Sequence, residues 1–464
     1  MTLPETDIIT SIVWRVFRVE EVTLGDPKPR APSPVREPGL PRENRDYPAG
    51  TGTTTPRVPS GNRDYSAGTG ATTQGYFLRY RGELTRDSVE AYDQLAAALL
   101  PYDITPLFRV EDERQTLLLM RGTIHLKPGR VWVNILLFVL TLLSVLFAGA
   151  ISSYRGPLPE DTLGQTWTLV THLWAGWPFA VSLLSILLAH EFGHYFVGRA
   201  RGAAVSLPYF IPLPVSMLGT MGAFIQLKQL PKNKRALFDL GIAGPLAGLV
   251  VAIPVLILGL ALSSVGTTQN TFYTKTANSL DVCQNSANIG DSYSCPDDNL
   301  LEGNSLLYLG LKYIVKGELL PSPVSYDVPP LLYWIRYIFT GHPIPVGGQD
   351  VLVHPVAWAG WAGLLVTFLN LIPAGQLDGG HVLYALFGKR VGKVFLVILV
   401  ATLLLGFFWS GWWLWSFLLF FLLGRSHAEP LDQITPLDSR RKILAVVILV
   451  VFLLVLTPVP YVIF

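Results

Sequence analysis

Cysteine is almost missing from this chain: Cys283 and Cys295 are the two thiols in 464 residues. That scarcity argues against a structural zinc site of the closed, cysteine-rich kind. Charge is scarce as well, at 15% Asp, Glu, Lys and Arg against 50% hydrophobic residues, a mix too apolar for an ordinary soluble enzyme. Nor is there a basic excess. With 35 basic and 33 acidic side chains the formal net charge is +2, which excludes the sustained positive surface that phosphate backbones require and makes nucleic acid no expected partner. The opening residues MTLPETDIIT lack a basic segment followed by an apolar one and carry Glu5 and Asp7, so no cleaved targeting signal is expected.

What is present falls into a charged head and an apolar body, with the boundary near residue 128. Four regions are expected. Residues 1–24 form a strand-like segment, since 8–23 read as one more strand of a small sheet. Residues 25–75 are dense in Pro, Gly, Thr and Arg, and Asn44–Thr55 returns nearly unchanged as Asn62–Thr73. A stretch with so few large apolar residues cannot offset the entropy of ordering it, so a disordered linker is predicted. Residues 76–128 form a small α/β soluble domain. In it Tyr76–Arg81 alternates like a strand, Val89, Tyr92, Leu95 and Leu99 follow at helical spacing behind Asp87 or Ser88, and two strands flank Glu111–Gln115 as a hairpin.

Residues 129–464 are expected to be a transmembrane domain, because their apolar runs approach or exceed the roughly 20 residues that cross about 30 Å of hydrocarbon. About seven spans are predicted, near 131–152, 177–199, 236–262, 353–373, 393–409, 411–424 and 443–463. The fifth and sixth also fit a tilted or re-entrant pair, since only Ser410 and Gly411 separate them. The fold class is therefore mostly α: a polytopic helical bundle with a small N-terminal α/β domain. Lys and Arg at Lys127, Arg130, Arg199, Arg201, Lys232, Lys234, Arg235, Lys389, Arg390, Lys393, Arg425 and Arg440–Lys442 fall on one side if every span crosses. That side is the cytoplasm by the positive-inside rule. The segment 263–350 then lies outside, where an oxidising environment permits a Cys283–Cys295 bridge; two unrelated free thiols is the alternative.

Two motifs carry chemistry. In the second span, His190, Glu191 and His194 spell H-E-x-x-H. Residues four apart share a helix face, so both imidazoles reach one metal while Glu191 leans over the open coordination position. In an apolar span such groups are costly unless they are paired, metal-bound or facing water, the alternative being a polar network between helices. A catalytic zinc commonly has three protein ligands, and no His or Glu follows at the spacing of soluble zincins. The candidate is Asp378 in NLIPAGQLDGGH, residues 370–381, which follows the fourth span on the same side. By itself Asp378 reads better as the cap of a short helix beginning near Gly379; opposite H-E-x-x-H it reads as the third ligand. Asn370 is a weaker candidate for a substrate or oxyanion contact, with helix-to-helix hydrogen bonding as its alternative. His381 reads as a partner of Asp378 or as a surface histidine at a helix start, and Gly244-Pro245 as a shaper of the cleft or a simple kink. Between the second and third spans, Gly222–Leu227 is expected as a strand edge able to pair with an extended peptide, and Leu207–Pro214 as a Pro-rich interfacial loop.

The pair HEFGH and NLIPAGQLDGGH resembles the site-2 protease family of intramembrane zinc metalloproteases, over roughly residues 130–464, with GIAGPLAG at 241–248 similar to that family's Gly-Pro element. The GQLDGGH form, the soluble head and the lack of a PDZ domain are similar to the chloroplast and cyanobacterial branch of the "ethylene-dependent gravitropism-deficient" type. The resemblance implies one Zn2+ held by His190, His194 and Asp378, with Glu191 as catalytic base. It implies substrates that are membrane proteins, single-span regulators for instance, cleaved in or near the bilayer. In the absence of a transit signal, a bacterial cell membrane is the expected setting. The competing readings are a catalytically inactive zinc-binding scaffold and a metal transporter. A transporter would spread polar residues over its spans and show internal repeats; here the ionisable groups concentrate in two motifs.

Overall fold

The computed structural model describes residues 3–25, 76–122, 130–267, 300–343, 345, 348–423 and 429–463. Residues 26–75, which hold nearly all of the expected linker, lie outside them, as do Cys283 and Cys295. The chain divides into two compact units, Met1–Thr123 and Ile124–Phe464.

The first unit contains α1 (Leu3–Val13), β1 (Phe17–Leu24), β2 (Tyr76–Leu84), α2 (Ser88–Leu99), β3 (Ile104–Glu111) and β4 (Arg114–Arg121). Its antiparallel sheet has the order β1-β2-β4-β3. Asp87 caps α2 by accepting from the Val89 N–H at 3.0 Å, satisfying a donor that the helix start leaves open. Asp112 and Glu113 turn the β3–β4 hairpin, both with positive φ, as a two-residue turn matched to strand twist requires. The strand-like reading holds for Phe17–Leu24 alone; Leu3–Val13 is helical. Ile9, Val13 and Val16 are all buried, at spacings of four and three, a helical period that the apolar density of this stretch hides from an alternation argument.

In the second unit, three helices among the described residues are long and apolar enough to cross a membrane: α3 (Val131–Ser153), the 3-10 turn Leu173–Gly176 running into α5 (Trp177–Ala200), and α6 (Lys234–Leu262). Between α3 and α5 lies α4 (Thr162–Thr171). All seven positions expected to span are helical, but four fall short of the length. These are α9 (Pro355–Leu371), α11 (Val391–Leu405), α12 (Gly411–Leu418), which continues as a π turn through Leu423, and α13 (Ser439–Val455). Chain breakers follow three of them. Pro373 stops α9 one residue past Ile372, Gly406 ends α11, and Pro458 and Pro460 follow α13, each removing or weakening a helical hydrogen bond.

The segment between α6 and α9 is folded where it is described. Strand β7 (Ser264–Thr267) pairs with β9 (Gln349–Leu352), and β8 (Leu300–Glu302) pairs with the C-terminal β10 (Tyr461–Ile463). Between them lie α7 (Leu306–Lys316), α8 (Pro330–Thr340) and a buried ion cluster. The stretch expected as a Pro-rich loop also differs: β5 (Tyr209–Pro212) pairs with β6 (Thr220–Phe224). Helix α3 holds this hairpin, since the Asn134 carboxamide donates to the carbonyls of Leu207 and Pro208 at 3.0 and 2.9 Å and Ser144 Oγ donates to that of Gly219 at 2.5 Å. Proline is tolerated here because β5 has a single partner strand.

The α10 segment (Asp378–Phe387) packs on α6, which itself packs on α5 and α9. These four elements meet around the two sequence motifs.

Candidate metal centre

His190, Glu191 and His194 lie on α5 and are 3%, 4% and 6% exposed. Asp378 reaches them from the turn after α9, where Gly375 takes φ 54° and lets the chain reverse before α10 begins. Asp378 is the first residue of α10, and the cap position belongs to Leu377, which makes no side-chain cap bond. The capping reading of Asp378 therefore fails. Its Oδ2 lies instead 3.3 Å from His190 Nε2 and 3.2 Å from His194 Nε2, and the two Nε2 atoms are 3.2 Å apart.

These three distances test whether a metal fits. Ligands about 2.0 to 2.1 Å from a tetrahedral ion lie roughly 3.3 Å from one another, and the three donor atoms match that edge. Among the described residues, these three form the one group of His, Cys, Asp or Glu side chains whose donors converge in this way. The fourth corner faces a cavity of about 330 Å3 lined also by Glu191, Ala223, Phe224, Asn370, Gln376 and His381. Glu191 Oε2 is buried and has no hydrogen-bond partner among the described residues. A buried carboxylate oxygen without a partner is costly, and its place beside the open corner gives it a role toward whatever enters there.

Helix α6 orients the ligands. His194 Nδ1 is 2.9 Å from the carbonyl oxygen of Leu240, so Nδ1 carries the proton and donates, leaving Nε2 free to coordinate. A Cβ at Gly244 would collide with the His194 ring, and one at Gly248 would meet His190 Nδ1 at 3.3 Å. Gly244 and Gly248, four residues apart, thus face His194 and His190, also four apart. This role for the two glycines was legible in that matched spacing, whereas the Leu240 carbonyl has no side-chain signature. His381 is 8% exposed and lines the cavity, so it is not a surface histidine. Strand β6 pairs only with β5 among the described residues, and its end, Ala223 and Phe224, borders the same cavity.

Fold and site together define a class: a helical protein holding a buried His-His-Asp metal centre with a carboxylate beside the open position. Residues 178–406 match the model of Peptidase family M50, so this part of the chain is similar to the site-2 protease domain. Over 363 residues the chain is 28% identical to "Probable zinc metalloprotease EGY1, chloroplastic" of Oryza sativa subsp. japonica, covering 74% of this chain and 53% of that protein. It is 24% identical to "Probable zinc metalloprotease EGY2, chloroplastic" of Oryza sativa subsp. indica, over 82% of this chain and 61% of the relative. The EGY1 protein of Arabidopsis thaliana is 26% identical over 72% of this chain and 54% of its own length. The chain thus spans between half and two thirds of the length of these relatives.

Proposed function

We propose that this chain is an intramembrane zinc metalloprotease that hydrolyses peptide bonds in or near the transmembrane segments of membrane-protein substrates, single-span proteins foremost. The observation that carries the reading is the unpartnered Glu191 oxygen beside a His190–His194–Asp378 cluster at tetrahedral spacing. A structural site would have no use for that carboxylate. The donor set, two imidazoles and one carboxylate, suits a single zinc ion, the metal in the names of the plant relatives. When bound, zinc supplies Lewis acidity toward a water and a peptide carbonyl.

The chain's own groups do the rest. Glu191 accepts the proton of the attacking water at Oε2 and returns it to the leaving amine nitrogen. Peptide bonds of an intact helix are hydrogen-bonded, so the substrate unwinds before attack. The unpaired side of β6, ending in Ala223 and Phe224 at the cavity, supports docking of the unwound segment as an added strand. Asn370, in the cavity wall, is the proposed contact to substrate or oxyanion.

The setting proposed is a multi-pass protein of about seven spans, the shorter helices completing the bundle. The N-terminal unit and the metal centre face the cytoplasmic side, as the Lys and Arg distribution supports.

Zinc content and proteolysis, measured together on the purified full chain in lipid, test the reading. Glu191→Gln is expected to keep zinc and lose cleavage of a helical membrane substrate, whereas His194→Ala and Asp378→Ala lose both. Cleavage by zinc-loaded Glu191→Gln at the wild-type rate sinks the mechanism.

A further inference from the structure

A second cavity, also about 330 Å3, opens on a different face of α10 from the metal centre. It lies between α10 and α13, and it is bounded by Leu371, Gly379, Val382 and Leu449 among others. Among the described residues Lys442 is the one charged side chain that lines it, and every other lining residue is apolar or glycine. On α13 the groove runs from Lys442 in the first turn to Phe452, ten residues or about 15 Å of helix. Half of a hydrocarbon core about 30 Å thick has that same depth. At the inner end Phe452 packs on Phe368 of α9, with ring centroids 5.7 Å apart, which closes the groove near the turn that carries Asp378.

Polarity and charge select the occupant. The groove is lined along its length by aliphatic and aromatic side chains of α10 and α13, which suits one flexible hydrocarbon chain laid along it. A single cation at the mouth of an otherwise apolar slot calls for an anion carried on an apolar tail. The neighbouring Arg441 is committed elsewhere, to Asp239 and Asp438, which leaves Lys442 for the headgroup. Basic residues between helices near the charged end of a span are where anionic headgroups bind.

We propose that the α10–α13 groove is a binding site for an anionic glycerophospholipid, with its phosphate on Lys442 and an acyl chain running toward Phe452. The tail then ends against Gly379, the residue after Asp378, and packs the back of the turn that supplies the third metal donor. The inference rests on the membrane-spanning reading, and alkaline extraction of membranes reports on that reading separately.

The test is native mass spectrometry of the detergent-purified full chain after exchange into equal parts phosphatidylglycerol and phosphatidylcholine of the same acyl composition. Wild type is expected to retain the anionic lipid at least 5-fold over the zwitterionic one. Lys442→Glu should abolish that preference and Lys442→Arg should keep it. Leu449→Trp, at an exposed position that fills the slot, should remove the bound lipid without changing the melting temperature. Equal retention of the two lipids by wild type overturns the proposal. So does an unchanged preference in Lys442→Glu, or full retention in Leu449→Trp. A protein that resists alkaline extraction yet gives any of those results keeps its spans and loses this site.

Discussion

Gly244 lies directly under the His194 imidazole, so close that a Cβ at this position would clash with all of the ring atoms nearest the metal position. Only glycine lets α6 approach α5 this closely, and the approach places the Leu240 carbonyl on Nδ1. Gly244→Ala is therefore expected to tilt His194 and weaken zinc binding about 10- to 100-fold, the usual effect of disturbing a group that orients a ligand. Competition with a calibrated chelator measures it. Gly310→Ala, where a Cβ meets nothing within 4 Å, is the control and should bind zinc as wild type does.

The guanidinium of Arg441 grips Asp239 at both oxygens, 2.7 Å from Nε to Oδ1 and 2.6 Å from NH2 to Oδ2, and Arg201 adds a third contact at 2.5 Å. This ties α13 and the end of α5 to α6, one residue before Leu240. Arg441→Ala is expected to cost on the order of 2 to 3 kcal/mol, as lost charge-assisted hydrogen bonds do, read as a lower melting temperature. Arg441→Lys, which keeps the charge but not the two-pronged contact, should lose less than Arg441→Ala.

Asp350 on β9 predicts a pH dependence. It is fully buried beside Lys312 of α7 at 3.3 Å, and Lys312 also holds Glu302 of β8 at 3.1 Å. Tyr308 of α7 donates to the same Glu302, and Tyr337 of α8 faces the cluster. One ammonium thus serves two carboxylates. Burial, which outweighs the pull of Lys312, pushes Asp350 up to about 7. Because the folded value lies above the unfolded one, folding takes up a proton. The associated stability is complete below about pH 4 and fades as pH rises through 7. The melting temperature is expected to fall by several degrees between pH 5 and pH 8, and Asp350→Asn should flatten that slope.

Much of this arrangement is written locally in the chain. H-E-x-x-H needs only one helix to bring His190 and His194 together, and Asp87 and the β3–β4 turn act within a few residues. Asp378 was legible only by pairing two distant motifs, since its own surroundings read as a helix cap. What escaped the sequence depends on contacts between elements. The helix Leu3–Val13 takes its period from burial against α2 and the sheet, β5 exists because α3 supplies Asn134 and Ser144, and the short α9 and α11 look like full spans until their breakers act. The Lys312 cluster is assembled from residues 302, 312 and 350, three separate elements whose meeting no periodicity announces.

Asn370 separates two roles that a carboxamide at the end of α9 can play. It lines the metal cavity together with Glu191 and Asp378, and the proposed contact to a substrate carbonyl rests on that placement. If it donates to the developing oxyanion, Asn370→Ala should lower kcat about 100- to 1,000-fold, the range found for losing one such donor. KM should stay nearly constant, because the contact strengthens only as negative charge builds on the oxygen. Zinc content and melting temperature should both remain at the wild-type values. If its work is instead to join helices, the substitution lowers the melting temperature, and activity falls only in proportion to the folded fraction. Single-turnover cleavage measured well below the melting temperature of both proteins decides between them. A wild-type kcat in Asn370→Ala would remove the residue from the catalytic centre.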